Sequence, residues 1–246
     1  MPAPTTPPFS PPDDIILTTR EAAHHLGVST STAQLWMESG ALVSWKTPGG
    51  HRRCRLSEVL RVLRRATGSA SLENLPNEFR HPPVATYPTL DTEQQRLLAV
   101  FNSCLVGSPP NAMLDRLTWL ATRVTDCPMA MVSLLTSERQ WFKSRIGLDV
   151  TETPRGVAFC SHTIVAPTGL VVEDASSDPR FAANPLVVGE PQIRFYAGVP
   201  VEDQDGNRLG SLCVLDTRPR TLSEEQLRGL TELAAIVTAE FCRRES

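Results

Sequence analysis

The run Thr47-Pro48-Gly49-Gly50-His51-Arg52-Arg53 carries more structural information per residue than any other part of this 246-residue chain. Proline sets φ at the start of a turn. Two glycines then suit a tight hairpin and leave no bulky side chain at a tip that has to approach another backbone closely. The flanks complete a hairpin: a short strand near residues 42–46 leads in, and the basic strand His51-Arg52-Arg53-Cys54-Arg55 leads out. Further toward the N-terminus, Thr18 with Glu21 has capping-box spacing and predicts a helix to about Leu26, with Gly27 supplying the left-handed turn that ends it. Ser29 caps a second helix over residues 30–39. Two short helices joined by Leu26-Gly27-Val28-Ser29 make a helix-turn-helix whose second helix is the one that enters a DNA major groove. A third helix over residues 56–65 closes the small core.

Charge separates this segment from the rest. Eight Lys and Arg stand against three acidic residues over 18–66, while the remainder carries 16 basic and 24 acidic residues, for a net charge of −3. A basic segment joined to a larger acidic one points to a polyanion partner for the first. Residues 17–63 resemble the winged helix-turn-helix of the MerR and excisionase families, through the Gly27-Val28-Ser29 turn, Trp36, Gly40, Leu42 and above all residues 47–53. The resemblance implies a duplex DNA partner. It places Ser31, Thr32 and Gln34 against bases or backbone and Gly50, His51, Arg52 and Arg53 in wing contacts, with Lys46 completing the set. Those families often carry two basic residues just before the tryptophan; here Gln34 and Leu35 stand there, which predicts a shallower salt dependence and cooperation between protomers. A protein-interaction module with solvated arginines is the alternative. Trp36 fits core or wing packing better than base reading, and His51 fits a phosphate contact better than a metal ligand.

The N-terminal 14 residues form a proline-rich leader expected to be disordered, without the basic start or apolar stretch of a signal peptide. Residues 67–90 read as a linker punctuated by Pro76, Pro82, Pro83 and Pro88. Residues 15–66 are then the DNA-binding domain and 91–246 a second, α+β domain. Hydrophobic residues make up 41% and charged residues 21%, a globular composition. No apolar run approaches the roughly 20 residues of a membrane helix, so a cytoplasmic chain without a membrane partner is expected. Six cysteines without a CxxC pair are expected to be reduced and mostly buried.

In the second domain, Thr92 with Gln95 opens a helix with Leu97, Leu98, Phe101, Cys104 and Leu105 on its apolar side. Leu114, Leu117, Ala121 and Val124 mark the next helix. Strands are expected over 130–135, 140–146, 170–174, 194–201 and 209–215, the last two joined at Asp205-Gly206. Ser223 with Gln226 caps a final helix reaching about Phe241. Two flanking helices, a central antiparallel sheet and a terminal helix resemble a GAF domain, over about 92–241. The resemblance is carried by Trp141-Phe142-Lys143-Ser144, Thr151-Glu152-Thr153-Pro154-Arg155, Ala158-Phe159-Cys160-Ser161-His162, Asp178-Pro179-Arg180-Phe181, Arg194-Phe195-Tyr196-Ala197-Gly198 and Leu209-Gly210-Ser211-Leu212-Cys213. Such domains are common in bacterial signalling proteins and bind cyclic nucleotides, tetrapyrroles, haem, small metabolites or nothing. The Asn-Lys and Phe-Asp-Glu signature of the cyclic-nucleotide type is absent, as is the phytochrome motif around Cys160-Ser161-His162. The cysteine spacing also differs from that of GAF-fold methionine sulfoxide reductases.

A pocket is expected on one face of the sheet, lidded by residues 151–163 and 174–191. Its candidate residues are Trp141, Arg155, Phe159, Cys160, His162, Asp174, Phe181, Arg194 and Tyr196. Arginine with aromatics would suit a planar anionic ligand. The alternative is that Arg155, Asp174 and Arg194 pair structurally while the aromatics fill the core. Leu227, Leu230, Ala234, Val237 and Phe241, widened by Leu233 and Ile236, form a helical stripe that would build a homodimer with the 92–105 helix. The whole reads as a DNA-binding transcriptional regulator, not an enzyme, whose second domain dimerises and senses a small-molecule effector; no cofactor is assigned. Two rivals remain. One is an adaptor that dimerises or docks a partner without a ligand. The other is a thiol-dependent redox enzyme or sensor at Cys160, for which the sequence supplies no matched resolving cysteine.

Overall fold

In a computed structural model, residues 15–26, 28–59, 62 and 75–243 are described. They form two compact units, divided at Asn74–Leu75. The expectations for the leader, for Gly27 and for residues 67–74 lie outside the described residues.

The first unit follows its sequence signals closely. Helix α1 runs Thr19–Leu26, and the capping box is reciprocal: Glu21 N–H donates to Thr18 Oγ1 at 3.2 Å, while Thr18 N–H donates to Glu21 Oε2 at 2.7 Å. Helix α2 runs Thr30–Ser39 with Ser29 as N-cap, its Oγ accepting from Thr32 N–H at 3.1 Å. Strands β2 (Ser44–Lys46) and β3 (Arg52–Arg55) form the expected hairpin with Lys46 opposite Arg52. Thr47 N–H donates to His51 O, Gly50 N–H donates to Thr47 O, and Gly50 sits at φ +78°. One strand had no sequence signal. β1, Ile16–Thr18, pairs antiparallel along β3 and makes a three-stranded sheet in the order β1-β3-β2. Three residues are too few to show a period, and the pairing is set by the partner strand. Residues 56–59 and 62 are helical; the rest of the expected third helix lies outside the described residues. Leu17, Ala22, Ala23, Leu26, Ala33, Met37, Leu42, Cys54 and Val59 form the core, with Trp36 half-buried against it.

The second unit is built on a six-stranded antiparallel sheet, order β6-β5-β4-β9-β8-β7, from β4 (Met129–Leu135), β5 (Arg139–Ile146), β6 (Glu152–Pro154), β7 (Leu170–Val172), β8 (Phe195–Glu202) and β9 (Arg208–Asp216). Its helices are α3 (Glu93–Ser103), α4 (Ala112–Thr125), α5 (Cys160–Val165), α6 (Pro185–Val188) and α7 (Glu224–Arg243). Every residue of β4 is buried, because the sheet carries a core on each face. Ala130, Val132 and Leu134 face one core, shared with α4 and α7; Met129, Met131 and Leu135 face the other, shared with α5 and the 170–196 segment. β8 and β9 meet at residues 203–207, where Gly206 has φ +78° and Asp203 Oδ1 accepts from the backbone N–H groups of both Asp205 and Asn207. Ser223 and Gln226 close a reciprocal box at the start of α7.

Four expectations change. Residues 75–90, read as linker, pack onto the second unit: Phe79 is buried edge-on to Phe101, Ser137 N–H donates to Glu78 O, and Tyr87 Oη donates to Ser137 O. Their prolines break helical periodicity without preventing packing. Thr92 begins α3 without a side-chain cap bond, and the helix buries Glu93 and Arg96 beside Leu97 and Val100. The terminal stripe is largely spent internally, since Leu230, Leu233, Ala234, Val237 and Phe241 lie in the core with α4 and only Leu227 and Ile236 stay exposed. Strand β6 and the short α5 and α6 were not expected; each is too brief to show a repeat.

Candidate functional site

In the first unit the α2 residues Ser31 and Gln34 are exposed and Thr32 half-buried, all in the N-terminal half of the helix; Gln34 Nε2 donates to Glu38 Oε1 at 3.1 Å. Lys46, Gly50 and His51 are exposed at the hairpin end. The two arginines differ. Arg52 Nη1 donates to Met37 O at 3.2 Å and Ser44 Oγ at 3.3 Å, and its Nε lies 4.0 Å from Glu38 Oε1, so it ties the wing to the end of α2. Arg53 stands opposite Trp45 and makes a local contact to Arg52 O at 2.9 Å. Arg55 lies over the Trp45 ring at 5.9 Å. The surface is cationic at its tip and anchored at its base.

In the second unit a cavity of about 410 Å3 opens on the α5 side of the sheet. Met131, Gln140, Phe142, Cys213 and Leu215 line it from the strands, with Tyr196 from β8 and Phe159 and Cys160 from the start of α5. Both expected lid segments contribute, through Thr153 and through Leu186, Glu190 and Pro191, and the unexpected 147–150 loop completes the wall. Phe159 stacks on Tyr196 at 5.1 Å and on Phe181 at 4.2 Å. Tyr196 Oη lies 2.5 Å from Thr163 Oγ1 and donates to Cys160 Sγ at 3.3 Å. Gly198 makes room for that hydroxyl: a Cβ there would lie 2.2 Å from it.

Of the nine candidate pocket residues, Phe159, Cys160 and Tyr196 line the cavity. Trp141 points to the opposite face of β5, as alternation between Gln140 and Phe142 requires, and packs on the other core. Phe181 is core behind Phe159. His162 turns its ring edge to Phe181 at 4.7 Å, and burial together with nearby Arg180 holds its pKa below the ordinary value. Asp174 closes a local turn by accepting from Ser176 N–H and the Ser177 hydroxyl. Arg194 donates to Val187 O and Ile193 O. Arg155 is fully buried beneath Tyr87, bound to Glu93 Oε1 at 3.1 Å and Ser161 Oγ at 3.1 Å. None of the lining residues is Arg, Lys or His, while Asp149 and Glu190 are present, so the wall suits a neutral, largely apolar molecule and not the planar anion expected from the arginines. Gln140, Met131 and Cys213 were missed. Each lies on a strand at a position facing the cavity, and only the assembled sheet identifies that face.

A family model described as GAF domain matches residues 109–241, and one described as helix-turn-helix domain matches 16–67. A cyclic di-GMP phosphodiesterase of Pseudomonas aeruginosa is 40% identical over 159 residues, which cover 64% of this chain and 27% of that protein. The chain thus spans about a quarter of that relative's length. The relative's name overturns the expectation that the chain is not an enzyme. Among solved structures, the GAF domain of an Acinetobacter phosphoenolpyruvate-protein phosphotransferase is 20% identical with a TM-score of 0.46, covering 62% of this chain and 94% of that one. The free methionine-R-sulfoxide reductase of Neisseria meningitidis is 18% identical with a TM-score of 0.45, covering 66% and 99%. Among the described residues no helix is long and apolar enough to cross a membrane. With more than half its length matched, the chain belongs to the GAF domain family, and it carries a helix-turn-helix domain ahead of that domain.

Proposed function

We propose that this protein is a cytoplasmic transcriptional regulator that binds duplex DNA through a MerR- or excisionase-type winged helix-turn-helix and takes its signal through the GAF domain. The reading is carried by one observation: a cationic hairpin, anchored to a helix-turn-helix, shares a chain with a sensor-family domain holding an apolar cavity. Ser31, Thr32 and Gln34 face the major groove; Lys46, Gly50, His51 and Arg53 contact the phosphates, and Arg52 holds the wing in place as well as adding charge. The effector is a small, neutral, mostly apolar molecule in the cavity beside Phe159, Cys160 and Tyr196. It acts by favouring one state of a pre-existing equilibrium. Protomers assemble as a dimer through exposed apolar side chains of α4 and α7.

Fluorescence anisotropy on duplex DNA tests the assignment with Lys46→Ala and Arg53→Ala combined, leaving the anchoring Arg52 intact. Affinity falls, and the slope of log K against log salt drops by about 2, one for each phosphate contact removed. Unchanged affinity and slope would refute the wing assignment.

A further inference from the structure

The fold supplies the partner thiol that spacing along the chain did not reveal. Cys160 begins α5 and Cys213 lies on central strand β9, 53 residues apart in sequence, yet their Sγ atoms stand 3.6 Å apart. Both line the apolar cavity, beside Met131. Gln140 Nε2 donates to Cys160 Sγ at 3.0 Å and Tyr196 Oη at 3.3 Å. Burial pushes the Cys160 thiol up, but hydrogen bonds from Cys213, Ser133, Ser211 and Tyr196 outweigh it and bring the pKa down to about 6. Burial and the neighbouring Cys160 hold Cys213 well above the ordinary thiol value. Cys213 therefore holds its proton more tightly than Cys160, and its Sγ lies within hydrogen-bonding distance of both Cys160 Sγ and Met131 O. Buried cysteines are ordinarily inert; this pair differs in that each sulfur has the other as a partner, Cys160 accepts hydrogen bonds, and both residues line a cavity that a small molecule can enter.

We propose that Cys160 and Cys213 form a redox-active pair that a small organic hydroperoxide, entering the apolar cavity, oxidises to an intramolecular disulfide. The Cys160 thiolate attacks the terminal peroxide oxygen: an S–O bond forms and the O–O bond breaks. The alkoxide takes from solvent the proton that the Cys160 thiol gave up on ionising and leaves as the alcohol, with Cys160 as a sulfenic acid. Cys213 sulfur then attacks Cys160 sulfur; the S–S bond forms, the S–O bond breaks, and hydroxide leaves as water with the Cys213 proton. Two thiols and one hydroperoxide give one disulfide, one alcohol and one water. Closure to a bond of about 2.05 Å brings the sulfurs together by about 1.5 Å. A thiol reductant restores the pair. The apolar walls of Phe142, Leu148, Phe159 and Ile193 favour a hydroperoxide with a hydrocarbon body over hydrogen peroxide.

The test treats the purified full-length chain with one equivalent of cumene hydroperoxide, alkylates it under denaturing conditions, and analyses non-reduced peptides by mass spectrometry. A Cys160–Cys213 cross-linked peptide, lost on reduction with dithiothreitol, is expected. In Cys213→Ser, and in Cys213→Ala should the hydroxyl disturb the fold, the cross-link vanishes and Cys160 becomes reactive to dimedone as its sulfenic acid. Cys160→Ser takes up no label at 213. Recovery of both thiols alkylated in the folded wild type, or oxidation falling first on the more exposed Cys104 and Cys242, overturns the proposal. The readout is covalent and involves no DNA, so its failure leaves the regulatory reading standing, and the reverse.

Discussion

Arg155 shows how far a residue type can mislead when its surroundings are unknown. In sequence it sits in a polar run before Cys160 and looks like an anion reader. In the fold it is fully buried, and Arg96 and Arg155 share the single carboxylate of Glu93, with Arg96 bound through both oxygens at 2.8 and 2.9 Å. Burial, then repulsion from Arg96, lowers the Arg155 pKa to about 10, which leaves it charged at neutral pH. Burial alone would raise the Glu93 pKa, but bonds and charge from the two arginines bring it below its ordinary 4.5. A carboxylate with a depressed folded pKa adds stability above its unfolded pKa, and that stability is lost as pH falls through the folded value. Glu93→Gln should therefore destabilise the second unit by about 3–5 kcal/mol at pH 7, because two buried cations lose their counter-charge. The gap from wild type should begin to close as the pH is taken below about 4.5, the ordinary carboxylate value, and finish closing as the pH falls through the lower folded value at which wild-type Glu93 takes up its proton. Urea melts between pH 3 and 7 measure this, and a gap that stays constant across that range would contradict it.

Elements with strong local chemistry were legible in the sequence. α2 runs 30–39 as its cap and turn require, and two of the three capping pairs, Thr18–Glu21 and Ser223–Gln226, close reciprocally, while Thr92 makes no side-chain cap bond. The five expected strands of the second unit differ from those observed by one or two residues at their ends. Short elements were not legible: β1, β6, α5 and α6 have three to six residues and owe their conformation to neighbours. The approach of β8 to α5 is one such neighbour effect. Gly198 leaves space for the Tyr196 hydroxyl, and an added Cβ would lie 2.2 Å from it and 3.0 Å from Thr163 Oγ1. Gly198→Ala should cost about 1–3 kcal/mol by overpacking and displace the hydroxyl from Cys160. Denaturant unfolding gives the first; a shift in tyrosine near-ultraviolet circular dichroism reports the second. A variant as stable as wild type, with an unaltered tyrosine signal, would show that the hydroxyl is not held as described.

For the whole molecule, the stripe on α7 illustrates a limit of periodicity. Spacings of three and four mark an apolar face without saying whether the chain's own sheet or a second copy covers it. Here the sheet covers most of it, and α4 packs closely enough that a Cβ on Gly229 would lie 2.5 Å from Val124 Cγ1. What is left exposed is different: Trp119 is 49% exposed and Ile236 48%, with Leu120 and Leu227 also open. If these carry the proposed dimer, Trp119→Glu with Ile236→Glu should convert it to monomer in sedimentation equilibrium without loss of secondary structure. A wild-type monomer at tens of micromolar would remove that part of the proposal.

What local chemistry controls could be read along the chain: helix starts from caps, the hairpin turn from Pro-Gly-Gly, the antiparallel pairing of β8 and β9, and the separation of a basic segment from an acidic one. Tertiary structure alone decided which side chains share a space. Cys160 meets Cys213, Arg155 turns from a pocket toward Glu93, and residues 75–90 lie down on the second unit. The physical reason is reach: hydrogen-bonded caps and turns act over three or four residues, whereas burial pairs residues that no period in the chain connects.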